Sequence, residues 1–385
     1  MPVITKQFQN LPLPQLGFGS MRLPLLPGGG DEDADQAAVD RMVDTAMARG
    51  ANYFDTAYGY HGGKSEVVMG KALSRYPRDS YYLASKFPGY DVDNIRADKV
   101  EAIFEEQLRR CGVEYFDFYL FHNVYERNVE PYLDPENRVV EYLLEQKRNG
   151  RIRHLGFSAH GALPVIRKFL DAVGEHMEFG QLQLNYLDTE EQAGLKGYHL
   201  AERMGVPVVV MEPVKGGHLS NLPPQAKAVL DELHGGSPAS YAIRFAAGFE
   251  GILMVLSGMS TPEQMQDNIA FMKDFRPLDP QERAAVDRVQ AIFHGMHLIP
   301  CTSCRYCVDG CPQHIAIPNL FALMNTKQIY HDWNADFYYE AVHTGPGRKA
   351  SDCIRCGQCE RICPQHLPIR QLLVDVAKEF EKPQA

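Results

Sequence analysis

At 385 residues the chain is long enough for one large and one small domain, and 45% hydrophobic residues suffice to fill their cores. A formal net charge of −10, with Lys and Arg scattered rather than clustered, excludes the electrostatic footprint of a nucleic-acid binder. The N-terminus MPVITKQFQNLPLP lacks a basic start followed by an apolar core, and no apolar run reaches the length of about 18 residues that a membrane span needs, so a cytoplasmic protein is expected.

From residue 16 to residue 275 short apolar, β-branched runs alternate with segments of helical periodicity. Strands are expected at Leu16–Ser20, Ala51–Ala57, Tyr81–Phe87, Tyr115–His122, His154–Ala159, Gly180–Asn185, Pro207–Pro213 and Ile252–Ser257. The helices between and after them are expected at about 34–49, 65–75, 98–111, 137–149, 163–173, 197–204, 237–248 and 262–274. Gly50, Gly112 and Gly150 follow the last apolar positions of their helices, where a left-handed residue ends the helix, and Ser65 and Thr261-Pro262 open others. Eight such units with strands too apolar to be half-exposed predict an α/β fold, a (β/α)8 TIM barrel, over residues 1–280. The alternative, a doubly wound sheet, lacks its fingerprint, because the first strand-to-helix turn reads LGFGSMRLP rather than G-x-G-x-x-G.

In a barrel, chemistry sits at the C-terminal ends of the strands. The second strand ends on Asp55 and runs on to Tyr60, the third ends at Lys86, and the fourth ends at His122. A buried apolar strand has no packing reason to finish on a polar group, and four such residues on three adjacent strands point to a site. Cys111, at the end of the third helix, reads as a small buried residue.

After a helix at about 281–294 the remaining cysteines appear in two runs of identical spacing, C-x2-C-x2-C-x3-C-P. They are Cys301, Cys304, Cys307 and Cys311, then Cys353, Cys356, Cys359 and Cys363, and CPQHIAIPNL parallels CPQHLPIRQL beyond the ligands. Zinc sites favour paired or mixed ligands and disulfides belong to oxidising compartments, so two [4Fe–4S] clusters are expected. In this rhythm the fourth cysteine of each run serves the other cluster. One cluster is therefore assigned to Cys301, Cys304, Cys307 and Cys363, the other to Cys353, Cys356, Cys359 and Cys311. His314 and His366 stand close enough to the motifs to be donors to cluster sulfur or plain surface histidines. The 41 residues between the runs read as helix and loop, giving a mainly helical ferredoxin-like domain over 281–385. Within them Trp333, Phe337, Tyr338 and Tyr339 are candidates for packing on the barrel mouth or for an ordinary hydrophobic interface.

FDTAYGYHGGKSEVVMGKAL at 54–73, with YLASK, YLFHN and GFS further on, resembles the aldo-keto reductase family over about residues 14–275. The resemblance implies a catalytic tetrad of Asp55, Tyr60, Lys86 and His122 and a nicotinamide cofactor, NADPH or NADH. It also implies cofactor positions at Gly19, Ser20 and Met21, at Ser158 and Gln181 beside the nicotinamide amide, with Asn185 near them, and at Met211 in place of the usual stacking aromatic. The adenosine end would follow Gly258, Ser260, Gln264, Asp267 and Asn268, but Gly258 and Gln264 stand where NADP-preferring members carry Lys and Arg. Its implied reaction is reduction of a small-molecule carbonyl or oxidation of an alcohol by Tyr60 as acid, with Lys86 drawing the phenol pKa down. Hydride carries two electrons and each cluster one, so three expectations stand side by side. The clusters exchange electrons with an external carrier or hold the domain together; electrons reach the barrel through the clusters; or the barrel is a non-catalytic platform for an electron-transfer module.

Overall fold

The computed structural model describes residues 1–189, 194–233, 235–330, 334–344 and 348–381. They divide into two compact units, Met1–Pro213 with Ala239–Leu278, and Val214–Pro238 with Asp279–Ala385. Among the described residues no helix is long and apolar enough to cross a membrane.

The first unit opens with an antiparallel hairpin, β1 (Thr5–Phe8) and β2 (Leu11–Pro14). Eight parallel strands then close into a barrel: β3 (Leu16–Gly19), β4 (Tyr53–Asp55), β5 (Tyr82–Phe87), β6 (Phe116–Val124), β7 (Ile152–Ala159), β8 (Phe179–Gln183), β9 (Val208–Met211) and β10 (Ile252–Ser257). They neighbour one another in chain order, and β10 pairs back onto β3. The helices of this unit are α1 (Gln36–Ala48), α2 (Ser65–Leu73), α3 (Ala97–Cys111), α4 (Val129–Leu133), α5 (Val139–Arg148), α6 (Leu163–Val173) and α7 (Gly194–Arg203). After α8 (Pro224–Asp231), which falls in the second unit, come α9 (Pro238–Ala247) and α10 (Pro262–Met272). Gly112 ends α3 at φ 66°, the left-handed conformation that relieves the last carbonyls without a Cβ clash.

Side chains alternate across a strand, so every second residue faces the barrel axis. Tyr53, Ala84, Phe118, Leu120, Phe179 and Val209 lie in one buried cluster, and Phe8 and Leu13 of the hairpin belong to it. The rings of Phe8 and Phe118 lie 5.8 Å apart, which makes the hairpin part of the barrel core. Two residues beyond these positions, the same parity puts Asp55, Lys86 and His122 on the axis at the C-terminal end. All three are buried, at 3%, 0% and 4% exposure, because the strands that carry them are sealed by helices.

The second unit contains α8, α11 (Pro280–Met296), α12 (Tyr306–Asp309), α13 (Ile317–Tyr330), α14 (Asn334–Tyr338), α15 (Gln358–Ile362) and α16 (Ile369–Phe380). A capping box opens α11, with the Asp279 carboxylate accepting from the Glu282 amide and Glu282 accepting from the Asp279 amide. The α8 segment packs against α11, so the connection after β9 belongs with the C-terminal residues. Ile315, Ile317, Leu320, Phe321, Ile369, Leu373 and Val376 build the core of this unit around the cysteine loops. Tyr339 is part of that core, stacked on Phe380 at 4.7 Å, whereas Tyr338 is exposed. Trp333 and the side chain of Phe337 lie outside the described residues.

Candidate active site and iron–sulfur sites

The barrel site starts from a buried ion pair. Lys86 Nζ donates to Asp55 Oδ1 at 2.6 Å and to the Thr56 carbonyl at 2.8 Å. Both groups lie out of water, and burial pushes the Lys86 pKa down and that of Asp55 up, each opposed by attraction to its partner. Tyr60 follows on a turn at Tyr60–Gly63 and lies with its ring centroid 5.0 Å from Lys86 Nζ. His122 meets the Tyr60 ring edge-on at 6.0 Å and the Tyr90 ring edge-on at 5.1 Å. A Cβ on Gly59 would stand 2.2 Å from the Tyr90 hydroxyl, so glycine is required for Tyr90 to reach this turn.

The charge states differ from the expectation for Tyr60. Burial raises its pKa well above 10, Asp55 and Glu212 add to the rise, and Arg22 is the cation that opposes it. The Lys86 ammonium sits against Asp55, so its field on the phenol is largely cancelled and Tyr60 is held as a neutral phenol. His122 is pushed well below its usual pKa by burial and then by Lys86 and His160, which leaves a neutral imidazole with one donor and one acceptor.

The positions expected around the cofactor fall into two groups. Several are engaged within the protein: the Ser20 hydroxyl donates to the Asp55 carbonyl at 2.8 Å, and Ser158 Oγ accepts the Asn123 amide at 2.8 Å. Asn268 donates to Ser257 Oγ at 2.7 Å, Gln264 Oε1 accepts the Ser260 amide at 2.7 Å, and Ser260 Oγ donates to the Arg22 carbonyl at 2.8 Å. Asn185 accepts from the Leu187 and Asp188 amides and donates to Asp188, closing a turn after β8. Gly19 is buried at the end of β3 and Met21 follows half-buried, while Gly258 and Met211 are half-buried at the ends of β10 and β9. Gln181 stands apart, because its Oε1 is buried with no protein partner, as are His122 Nδ1, Asn123 Oδ1 and Asp55 Oδ2. Buried polar atoms left open in this way call for partners from a bound molecule, and the carboxamide N–H groups of a nicotinamide fit the Gln181 oxygen.

Sequence reasoning missed Tyr90, Asn123 and Arg22. Asn123 carried a usable signal, since it adjoins His122 at the end of the strand. It adopts φ 55° where the β6–β7 register shifts, a bulge that turns its backbone N–H to Ser158.

In the second unit the cysteines gather as four and four, with the fourth of each run exchanged. One pocket is lined by Cys301, Cys304, Cys307 and Cys363, and another by Cys311, Cys353, Cys356 and Cys359. Burial and then the Cys304, Cys301 and Cys363 thiols raise the Cys307 pKa strongly, and burial together with Cys353 and Cys356 pushes Cys359 up to about 11. Thiols crowded this closely favour a cationic centre that displaces their protons. Among the described residues no three ligating side chains meet at a single ion-sized point, and a cubane, wider than one ion, fits thiols arranged around a cavity. The two loops repeat in backbone as well as in sequence: Ser303, Arg305 and His314 have φ of 54°, 67° and 50°, and Arg355, Gly357 and His366 have 59°, 76° and 51°. Both histidines are exposed, and their amides return to the Cys311 and Cys363 carbonyls at 2.9 and 3.1 Å.

Comparison with known proteins agrees with both halves. The aldo/keto reductase family matches residues 15–291, and a 4Fe-4S dicluster domain matches residues 300–368. The NADH-specific methylglyoxal reductase of Escherichia coli K12 is 26% identical over 306 residues, covering 68% of this chain and 90% of that protein. L-galactose dehydrogenase of Arabidopsis thaliana is 25% identical over 300 residues, covering 74% and 91%. Among solved structures, the holo form of an aldo-keto reductase from Bacillus halodurans is similar at a TM-score of 0.60 and 25% identity, covering 74% of this chain and 96% of that one.

Proposed function

The chain belongs to the aldo/keto reductase family, and we propose that it reduces a small polar carbonyl compound, or oxidises the matching alcohol, with Asp55, Tyr60, Lys86 and His122 as its catalytic groups. Residues 1–280 form the catalytic barrel in this reading, and residues 281–385, joined by the segment after β9, hold two [4Fe–4S] clusters. Bound NADH or NADPH supplies hydride to the carbonyl carbon, and the clusters supply or accept single electrons.

The observation that carries the barrel reading is the buried Lys86–Asp55 pair beneath a neutral Tyr60, with a neutral His122 edge-on to it. Charge grows on the substrate oxygen as hydride arrives at carbon, and a phenol held protonated keeps its proton until then. The N–H of His122 orients the same oxygen and stabilises it without adding a charge to the ground state. Lys86 neutralises the Asp55 carboxylate behind the phenol and holds the end of β4 through Asp55 and Thr56. Gln181, with its open carboxamide oxygen, orients the nicotinamide amide. The activities in the names of the two relatives, on methylglyoxal and L-galactose, support a small polar substrate. Tyr60→Phe tests the assignment: carbonyl reduction should fall by at least 10²-fold, of the order that general acid catalysis contributes, while nicotinamide affinity stays within about twofold. Wild-type turnover in the variant removes Tyr60 from the acid role.

A second reading, in which electrons reach the barrel through the clusters, is favoured by one feature. Strand β9, ending on Met211, continues directly into Val214–Pro238, and that segment packs with the cysteine-bearing unit.

A further inference from the structure

The two cysteine loops are copies in sequence and in backbone, yet their surroundings differ, and that difference gives the pair a direction. The first loop is covered by the segment that follows β9. His218 Nε2 lies 3.0 Å from the Cys301 carbonyl, and a Cβ on Gly216 would stand 2.5 Å from the Thr302 carbonyl, so the two backbones are in close contact. Thr302 is accordingly 1% exposed. Its counterpart in the second loop, Ile354, is 57% exposed, and Cys356 beside it is exposed where Cys304 is partly covered.

Charge differs in the same sense. Residues 296–318 carry one Arg and one Asp, whereas the equivalent residues 348–370 carry five Arg or Lys and two Asp or Glu, in a chain of net charge −10. Arg348, Lys349, Arg355 and Arg361 are exposed. Of the two acidic groups in that segment, Glu360 is held by Arg370 at 2.7 Å, and Asp352 accepts the Lys349 amide at 2.7 Å. Glu381 also lies against this segment, accepting the Ser351 amide at 3.1 Å, so the cations left exposed beside Ile354 in sequence are Arg355 and Arg361. An exposed apolar side chain in a segment with a surplus of exposed cations, on an otherwise acidic protein, fits a docking surface for an anionic partner.

We propose that the site of Cys311, Cys353, Cys356 and Cys359 is the outer of the two, and that an acidic one-electron carrier protein docks over Ile354 and Arg355 to exchange electrons there. In each exchange the carrier loses one electron and the outer site gains one, or the reverse, and no bond or proton moves. The inner site, under Gly216 and His218, then receives the electron within the same unit, or supplies it when the exchange runs in reverse. This proposal rests on the two-cluster reading above.

The test uses the full chain with its clusters reconstituted and a small acidic [2Fe–2S] ferredoxin as probe. Association is followed by calorimetry at low and at physiological salt, with iron content and EPR recorded on the same samples. Arg355→Glu should weaken association at least tenfold at low salt, Arg355→Gln by roughly threefold, and both effects should shrink with added salt while the EPR of the two clusters is unchanged. Cytochrome c, a basic one-electron carrier, should show no salt-sensitive association at this surface. Wild-type ferredoxin affinity in Arg355→Glu, with both EPR signals intact, overturns the docking assignment alone. Two cluster signals failing to appear in the wild-type chain overturns the two-cluster reading and the proposal with it.

Discussion

Replacing Lys86 by Met keeps the length and apolar stem of the side chain and removes only the ammonium. Asp55 then stays 3% exposed with Oδ1 stripped of its partner and Oδ2 already without one. Breaking a buried pair from one side costs about 3–5 kcal/mol. For a unit of this size that corresponds to a drop in Tm of about 6–20 °C. The pH dependence gives a second signature. Burial already raises the Asp55 pKa and Lys86 opposes the rise, so removing Lys86 raises it further. A carboxyl whose folded pKa exceeds its unfolded value binds a proton in the folded state that the unfolded chain has released. Its stabilising contribution is therefore complete below the unfolded pKa near 3.9 and is lost as pH rises through the folded pKa, at up to about 1.4 kcal/mol per pH unit. The variant should thus become steadily less stable, relative to wild type, from about pH 4 upward. Asp55→Asn in the Lys86→Met background should recover part of the loss, because no charge remains buried. Calorimetry on the full chain from pH 5 to pH 8 reads both signatures, with the iron–sulfur unit's transition recognised by bleaching of its visible absorbance. A loss below 1 kcal/mol with no added pH slope would refute the description of this pair as a buried ion pair.

The ligand exchange between the cysteine runs predicts that Cys311→Ala damages the cluster of Cys353, Cys356 and Cys359 and spares the other; iron analysis with EPR checks it, and loss confined to the Cys301 cluster would show assembly without exchange. NADH and NADPH should bind within about tenfold of each other, since each missing charged contact to a 2′-phosphate forgoes roughly 1.5–3 kcal/mol. Gly258 contributes no charge and Gln264 is turned to the Ser260 amide, so a thousandfold preference for NADPH in a titration would reveal a phosphate site built from other residues.

The barrel was legible because each strand is a short apolar run and each helix carries its own start and stop residues. Ile252–Ser257 and Leu163–Val173 fall at the expected bounds. The hairpin at Thr5–Phe8 and Leu11–Pro14 was not, because LPLP reads as loop until Leu13 and Phe8 are seen to complete the core from the barrel floor. Val129–Leu133 and Pro224–Asp231 escaped for a related reason: helices this short show too little periodicity to stand out from a loop. The polar ends of β4, β5 and β6 pointed to the candidate site, where Asp55, Lys86, Tyr60 and His122 come together, as a charge at the end of a buried strand has no packing explanation. The field on Tyr60 was not legible, since it depends on how closely Lys86 is paired with Asp55 and on the distant charges of Arg22 and Glu212. Cysteine spacing pointed to the two groups of four that line the pockets, but the unequal cover of the two sites follows from the packing of Gly216 and His218, far away in sequence.

The isotope at the product carbon tests most directly whether hydride passes straight to the substrate at the barrel site. Anaerobic reconstituted protein is mixed with NADH deuterated at the transferring C4 position and with methylglyoxal as probe carbonyl, and the alcohol is analysed by mass spectrometry while cluster absorbance is followed. Direct transfer puts one deuterium on the former carbonyl carbon and leaves cluster absorbance unchanged during turnover. Product without deuterium, formed as the clusters are reduced and reoxidised, would contradict it.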